Sequence, residues 1–329
     1  MHTPIIVTGA AGFIGMHLVQ ALLERGERVV GLDNLNDYYD PALKEARLMQ
    51  LQAHPGFAFE RVDITNREVL PALLARLRPA RIVHLAAQAG VRYSITHPHA
   101  YIDANLSGFL NVLEAARHLQ REGAFTHLVY ASSSSVYGAN SKTPFSVEDR
   151  VDAPVSLYAV SKRANELMAL VYARQFGVAA TGLRFFTVYG PWGRSDMAAF
   201  KFTRAILAGE PIDVYNHGQL QRDFTYIDDV VAGVLAVLDR PAPAVDGVPH
   251  ALYNIGHHKP EPLLRFIEVL AQALGRTPTM NLLPMQPGDV LISYADTTSL
   301  QRDFGWHSTT SIDQGLPRFV AWYRRYYGV

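Results

Sequence analysis

The sequence predicts an α/β protein built on a doubly wound parallel sheet, and three observations carry that prediction. Its strand-like runs (IIVT, RVVGLD, RIVHLAA, HLVYAS) are near-continuously apolar, as strands covered on both faces must be. These runs alternate with helical patterns, the rhythm of βαβ units. A glycine-rich turn joins the first run directly to the first helix. Strands are expected at 5–8, 28–33, 57–62, 81–86, 127–132 and 180–186, with helices at 13–25, 41–54, 66–77, 100–118 and 158–176. Beyond 186 the rhythm loosens at Pro191, Trp192 and Gly193. There the pattern predicts a helix at 197–208, a strand at 212–215, a helix at 228–239 and a strand at 252–255. Helices at 261–274 and 311–327 follow, separated by a loop at 284–289 rich in Pro, Gly and Asp. Residues 1–186, rejoined by 228–255, are expected to form the dinucleotide-binding domain. Residues 187–227 and 256–329 are expected to form a smaller, interleaved substrate lobe.

Composition removes several classes of function. Thirty basic residues balance thirty acidic ones, so no global field draws nucleic acid or a membrane surface. The absence of cysteine removes disulfides, thiolate nucleophiles and thiolate metal sites. Neither a charged leader followed by an apolar stretch nor an 18-residue apolar run is present, which makes the cytoplasm the expected location. Thirteen histidines invite a metal reading, but none has H-E-x-x-H spacing. The closest pairs, His97 with His99 and His257 with His258, read as solvated loop residues, and no metal is expected.

The turn reads Thr8-Gly9-Ala10-Ala11-Gly12-Phe13-Ile14-Gly15. Gly9 permits the tight turn, Gly12 lets backbone approach a pyrophosphate, and Gly15 allows close helix–strand packing. The helix that follows offers free N–H groups and a positive dipole end to phosphate. Asp33 ends the second strand, 21 residues after Gly12. A carboxylate there accepts from ribose hydroxyls and repels a 2′-phosphate, which favours NAD over NADP. Asp63 ends the third strand and reads either as an adenine contact or as a helix N-cap. The run Leu85-Ala86-Ala87-Gln88 ends the fourth strand with small residues that let backbone approach the cofactor. Phe13, Ile14, Asn34, Ile64 and Phe185 complete the expected cofactor set.

Tyr158 and Lys162 stand four apart at a helix start, so both project from one face. They follow the Ser132–Ser135 run, at the carboxyl end of the sheet where doubly wound folds bind ligands. A phenol with a pKa of about 10 is a poor base at neutral pH. A nearby ammonium and a cationic nicotinamide are expected to lower that value. The phenolate then takes a proton from a substrate hydroxyl as hydride leaves the same carbon, with a strand-end Ser holding that hydroxyl.

With TGxxGxxG and YxxxK in place, the chain resembles the extended short-chain dehydrogenase/reductase superfamily and its NAD-dependent epimerase/dehydratase family, whose Rossmann fold it implies. More narrowly it resembles the UDP-glucuronate 4-epimerases, through GLDNLNDYYDPALKEARL (31–48), AGVRYSITHPHAYIDANLSGFLNVLEA (89–115), LRFFTVYGPWGR (183–194) and RDFTYIDD (222–229), and on to YADTTSLQRDFGW (294–306). The resemblance implies that Ser133 is the catalytic hydroxyl with Ser134 and Ser135 beside it, that Tyr158 is the base, and that Lys162 is its partner. It implies Thr187 and Arg194 as the clamp on a sugar carboxylate, Arg222 as a diphosphate contact and Asp289 as a contact to the uridine ribose. The implied substrate pair is UDP-glucuronate and UDP-galacturonate, interconverted through a 4-keto sugar with NAD retained throughout.

Alternatives stay open at this stage. Relatives that dehydrate the sugar carry Asp-Glu after the catalytic Thr, and decarboxylating relatives carry Glu before the Val of VYG. Ser134 and Ser135 occupy those places, which disfavours both reactions. UDP-glucose/galactose epimerisation is disfavoured by Thr187 and Arg194, and a catalytically silent NAD sensor by the intact Ser133, Tyr158 and Lys162. Helix 158–176 carries Leu167, Met168, Leu170, Val171 and Tyr172, too many apolar faces for one sheet. With helix 100–118 it is expected to form a two-fold contact, so a homodimer is expected.

Overall fold

The computed structural model describes residues 3–286 and 289–329. Pro287 and Gly288, within the loop expected at 284–289, lie outside the described residues. The first part of the chain runs β1 (Ile5–Thr8), α1 (Phe13–Glu24), β2 (Val29–Asp33), α2 (Pro41–Gln52), β3 (Phe57–Arg61), α3 (Val69–Leu77) and β4 (Arg81–His84). Two single turns, α4 (Tyr93–Thr96) and α5 (Pro98–Tyr101), and a π-helical segment, Ile102–Gly108, lead into α6 (Phe109–Arg121). Then come β5 (His127–Ser133), α7 (Leu157–Phe176) and β6 (Ala180–Phe185).

The rest is finer grained: β7 (Thr187–Tyr189), α8 (Ala198–Ala208), β8 (Ile212–Tyr215), β9 (Gln221–Arg222), β10 (Phe224–Tyr226), α9 (Ile227–Leu238) and β11 (His250–Ile255). The chain closes with β12 (Glu261–Pro262), α10 (Leu263–Leu274), β13 (Met280–Leu283), β14 (Ile292–Ser293), α11 (Thr298–Phe304) and α12 (Ile312–Tyr327).

Seven parallel strands form one sheet in the order β11-β6-β5-β4-β1-β2-β3. Period-two alternation divides the core. Ile5 and Val7 pack with α1 and α9 on one face, while Ile6 packs with α3, α6 and α7 on the other. The chain reverses direction across the sheet between β1 and β4, which pair Thr8 with His84 at their carboxyl ends. That is the switch point of a doubly wound sheet. The side chain of Thr8 closes it by accepting from the amides of Leu85 and Ala86 at 3.2 and 3.1 Å. Local sequence sets the helix bounds: Ser156 caps α7 through the amide of Ala159, and Gly177 ends it in the left-handed region. Asp40 and Pro41 open α2 in the same manner.

The later strands assemble in small groups: β7 with β10, β9 between β12 and β14, and β8 with β13. Of these only β8 is expected from sequence; strands of two or three residues hold too little of any period to announce themselves. The helix α11 is likewise unanticipated. The helix expected at 100–118 starts instead as a wide π turn. Among the described residues no helix is long and apolar enough to cross a membrane.

Candidate active site

A cavity of about 480 Å³ opens at the carboxyl ends of β1, β2, β4, β5 and β6. The glycine turn forms its floor: Gly9, Gly12, Phe13, Ile14 and Gly15 all line it. Gly9 has φ +72°, a region costly for residues with a Cβ. A Cβ at Gly15 would collide with the carbonyl oxygen of Gly9, and one at Gly12 would press on the same oxygen. The turn is therefore folded on itself as tightly as backbone permits, with the N-terminus of α1 at the cavity floor. This cradle fits a dinucleotide pyrophosphate.

Asp33, Asn34, Asp63 and Ile64 line the next stretch of wall. Asp33 accepts from the amides of Ala11 (3.1 Å) and Leu35 (2.9 Å), so it braces the glycine turn while keeping acceptor capacity for ribose hydroxyls. Asp63 accepts from Asn34 Nδ2 at 2.9 Å and from Thr65. Burial raises its pKa, but these hydrogen bonds outweigh burial and hold the carboxyl below its usual range. Leu85, Ala86, Ala87, Gln88 and Phe185 line the opposite side.

Ser133, Tyr158 and Lys162 line the same cavity. Ser133 is the last residue of β5, and its Oγ lies 3.2 Å from Ser135 Oγ. Lys162 is buried on α7 and donates to the carbonyl of Ala131 at 2.9 Å. Burial lowers its pKa to about 8, and the nearby Glu166 carboxylate opposes that fall. Glu166 is itself buried, accepting from Ser132 Oγ (2.6 Å) and gripped by Arg184 at 2.7 and 2.9 Å. Burial raises the phenol of Tyr158, with the Ser133 hydroxyl and the Arg194 guanidinium pulling the other way. From sequence, a nearby ammonium and a cationic nicotinamide are together expected to lower this pKa. In the structure burial outweighs the polar groups beside the phenol.

The substrate residues expected from sequence divide. Arg194 lines the main cavity. Thr187 does not: together with Arg194 it lines a small neighbouring hollow, its amide bonded to the carbonyl of Asp223 at 3.1 Å. Ser134 and Ser135 start a 3-10 turn and are absent from the cavity lining. Arg222 and Asp289 form a separate cluster with Arg92, whose Nη2 is 3.6 Å from Asp289 and whose guanidinium lies over the Tyr215 ring.

Several participants are invisible to sequence reasoning. The π turn brings Asn105 inward, where its side chain donates to the carbonyl of Gln88 (3.0 Å) and to Ser161 Oγ (2.9 Å) and accepts from the amide of Gln88 (2.8 Å). The Asn105 carbonyl is taken by Asn165 at 2.6 Å. A π bulge often marks a functional site, and here it fixes the end of the strand β4 loop. Lys44 and Tyr38 also line the cavity. Arg92 and Arg47 lacked any spacing signal. The pair His257 and His258, expected to be solvated, is tied instead to Asp223, Ser308 and the carbonyl of Ala295. Among the described residues no cluster of His, Cys, Asp or Glu could hold a metal.

Residues 5–256 match the NAD dependent epimerase/dehydratase family, and the chain belongs to that family. It is an NAD-dependent enzyme. It is 45% identical to a probable UDP-glucuronate 4-epimerase of Rhizobium meliloti over 98% of this chain and 97% of that one. A UDP-glucuronate 4-epimerase of Arabidopsis thaliana is also 45% identical, over 98% of this chain and 76% of its own. Among solved structures it resembles the UDP-glucuronic acid 4-epimerase of Bacillus cereus in complex with UDP-glucuronic acid and NAD. The TM-score is 0.89 at 33% identity, covering 98% of this chain and 100% of that one.

Proposed function

We propose that the protein is a UDP-glucuronate 4-epimerase, an isomerase that interconverts UDP-glucuronate and UDP-galacturonate. The observation that carries this reading is one cavity holding a dinucleotide cradle, the Ser133–Tyr158–Lys162 set and the guanidinium of Arg194. Bound NAD supplies a hydride acceptor that later returns the hydride, so the reaction has no net redox change. Gly9, Gly12, Gly15 and Asp33 would hold it, with Leu85 to Gln88 and Phe185 against its other side.

Tyr158 takes the proton of the sugar 4-hydroxyl and gives it back to the 4-keto oxygen after the sugar has turned over. Ser133 holds that oxygen from the strand end. Lys162, anchored on the Ala131 carbonyl, keeps a positive charge beside the phenol and would hold the nicotinamide ribose of a bound cofactor. Arg194 is suited to a sugar carboxylate because its fork can grip two oxygens at once. The 4-keto intermediate is a β-keto acid, and a gripped carboxylate cannot align its C5–C6 bond for loss of carbon dioxide. Ser134 and Ser135 offer no carboxyl group for dehydration or decarboxylation. Arg222, with Asp289, is assigned to the diphosphate and uridine ribose.

A homodimer in the cytoplasm is part of the same reading. Val160, Leu167 and Val171 on α7, with Leu110 on the adjoining α6, are each more than a third exposed. Such a row on two packed helices suits a second copy. A concentration-independent monomer in sedimentation would overturn the dimer. The activity itself is tested by incubating purified protein with UDP-glucuronate and resolving the sugar nucleotides by proton NMR. UDP-galacturonate as main product supports the reading, whereas UDP-xylose or a 4-keto pentose makes the enzyme a decarboxylase.

A further inference from the structure

We propose that Asp196, held in place by Tyr38, is a positioning residue that fixes the plane of Arg194 for the substrate carboxylate. The inference rests on the epimerase reading and deepens it. Asp196 accepts from Arg194 Nε at 2.9 Å and from Nη2 at 2.6 Å, a two-point grip on one edge of the guanidinium. Two parallel charge-assisted bonds set a plane, where one would leave the group free to rotate. Among the described residues Nη1 has no hydrogen-bond partner, and it belongs to a side chain lining the cavity of Tyr158 and Ser133. Asp196 thus occupies the side edge of Arg194 and leaves the end for a ligand.

Asp196 is fixed in turn from the cofactor side. The Tyr38 hydroxyl donates to its Oδ2 at 3.0 Å. The Tyr38 ring packs edge-on to Tyr93 at 4.7 Å, and its hydroxyl occupies the space that a Cβ at Gly90 would take. Gly90 has φ +101°, so the position favours glycine on both counts. The rest of the segment is held likewise. Arg47, fully buried and bonded to carbonyls, donates to Trp192 (2.6 Å from Nη2) and Gly193 (3.1 Å), while His17 bonds the Pro191 carbonyl at 2.9 Å. Arg47 also reaches the carbonyl of Ala11 in the glycine turn at 3.1 Å. Tyr38, Arg47 and His17, three side chains from the cofactor half, therefore set the backbone around Arg194 and the plane of its guanidinium.

The consequence is specific to a carboxylated sugar. If the plane of Arg194 loosens, the carboxylate of the 4-keto intermediate can twist out of its grip. The C5–C6 bond then breaks, its electron pair moves toward the C4 carbonyl, carbon dioxide leaves, and a solvent proton completes C5. Asp196 also cancels one positive charge, so its removal does not weaken attraction for an anionic sugar.

The test compares wild type with Asp196→Asn and Tyr38→Phe, following the products of UDP-glucuronate by NMR and the binding of UDP-glucuronate and UDP-glucose by calorimetry. In Asp196→Asn the share of UDP-4-keto-pentose should rise about tenfold, and in Tyr38→Phe about threefold, with UDP-glucuronate binding no weaker than in wild type. Affinity for UDP-glucose should stay within about twofold in both variants. A rise in Kd for both sugars together, or an unaltered product share, overturns the proposal and leaves Asp196 a structural residue. Wild type that leaves UDP-glucuronate unchanged overturns the epimerase reading, and this inference with it.

Discussion

The two walls of the cavity are built differently. On the cofactor wall, backbone does the work: a contiguous eight-residue turn, its glycines folded against one carbonyl, presents a helix N-terminus. On the wall proposed for the substrate, side chains from distant segments do it. Tyr38 and Arg194, joined through Asp196, meet across more than 150 positions of sequence, and outside the cavity lining Arg222, Asp289 and Arg92 meet through short strands and loops. A backbone site tolerates almost no substitution and defines a family. A side-chain site can be retuned one residue at a time.

The sharpest way to break this comparison is to ask whether the walls fail differently. Tyr158→Phe removes one hydroxyl between them. Turnover should fall about a thousandfold, with NAD still bound and little change in Tm, as expected for a lost acid–base group. An active Phe variant would mean that another group moves the proton. Gly15→Ala attacks the cofactor wall, where the new Cβ meets the Gly9 carbonyl. The variant should purify without NAD and lose about 2 kcal/mol or more of stability, measured by denaturant unfolding. Arg194→Ala attacks the substrate wall. KM for UDP-glucuronate should rise about tenfold or more with NAD binding and Tm unchanged. An unchanged KM with clean epimerisation would remove Arg194 from substrate binding.

Smaller effects should appear with pH. Lys162 has a pKa lowered to about 8, so its ammonium is lost as pH rises through that value, and kcat/KM should decline on the alkaline side there. A flat alkaline limb to pH 10 would show that the charge is not used. The buried His17, His127 and His250, each lowered by burial to about 4, give a second signature. Below the unfolded value of 6.5 the unfolded chain binds protons that the folded one refuses. Above about pH 6.5 these three groups are neutral in both states and cost nothing, and as pH drops toward 4 their refusal to protonate increasingly destabilises the fold. Thermal unfolding between pH 7 and pH 5 should show Tm falling by about 5 °C or more.

The same contrast governs what the sequence revealed. The turn at Gly9 to Gly15, Asp33, and the Tyr158–Lys162 pair were legible because each depends on a fixed spacing within one strand–helix unit. The parallel sheet was legible because its strands are buried on both faces. Asn105 was not, since nothing in 100–118 distinguishes a π turn from an α turn until its side chain has somewhere to go. Arg47 was hidden because the carbonyls it holds lie in other parts of the chain, and Asp196, two residues from Arg194, because its link to Tyr38 exists only in the fold. Thr187 is assigned to the carboxylate by resemblance alone; its strand pairs with β10, and it lines the hollow that Arg194 also lines.

The central claim is that oxidation and reduction occur at one carbon of the sugar. It is tested by converting UDP-glucuronate deuterated at C4 in ordinary water and locating the label in the product. Tyr158, Ser133 and a retained cofactor require the hydrogen taken from C4 to return to C4, so UDP-galacturonate should keep its deuterium there. Loss of the label to solvent, or its retention at C4 with inversion at another carbon, would contradict the account.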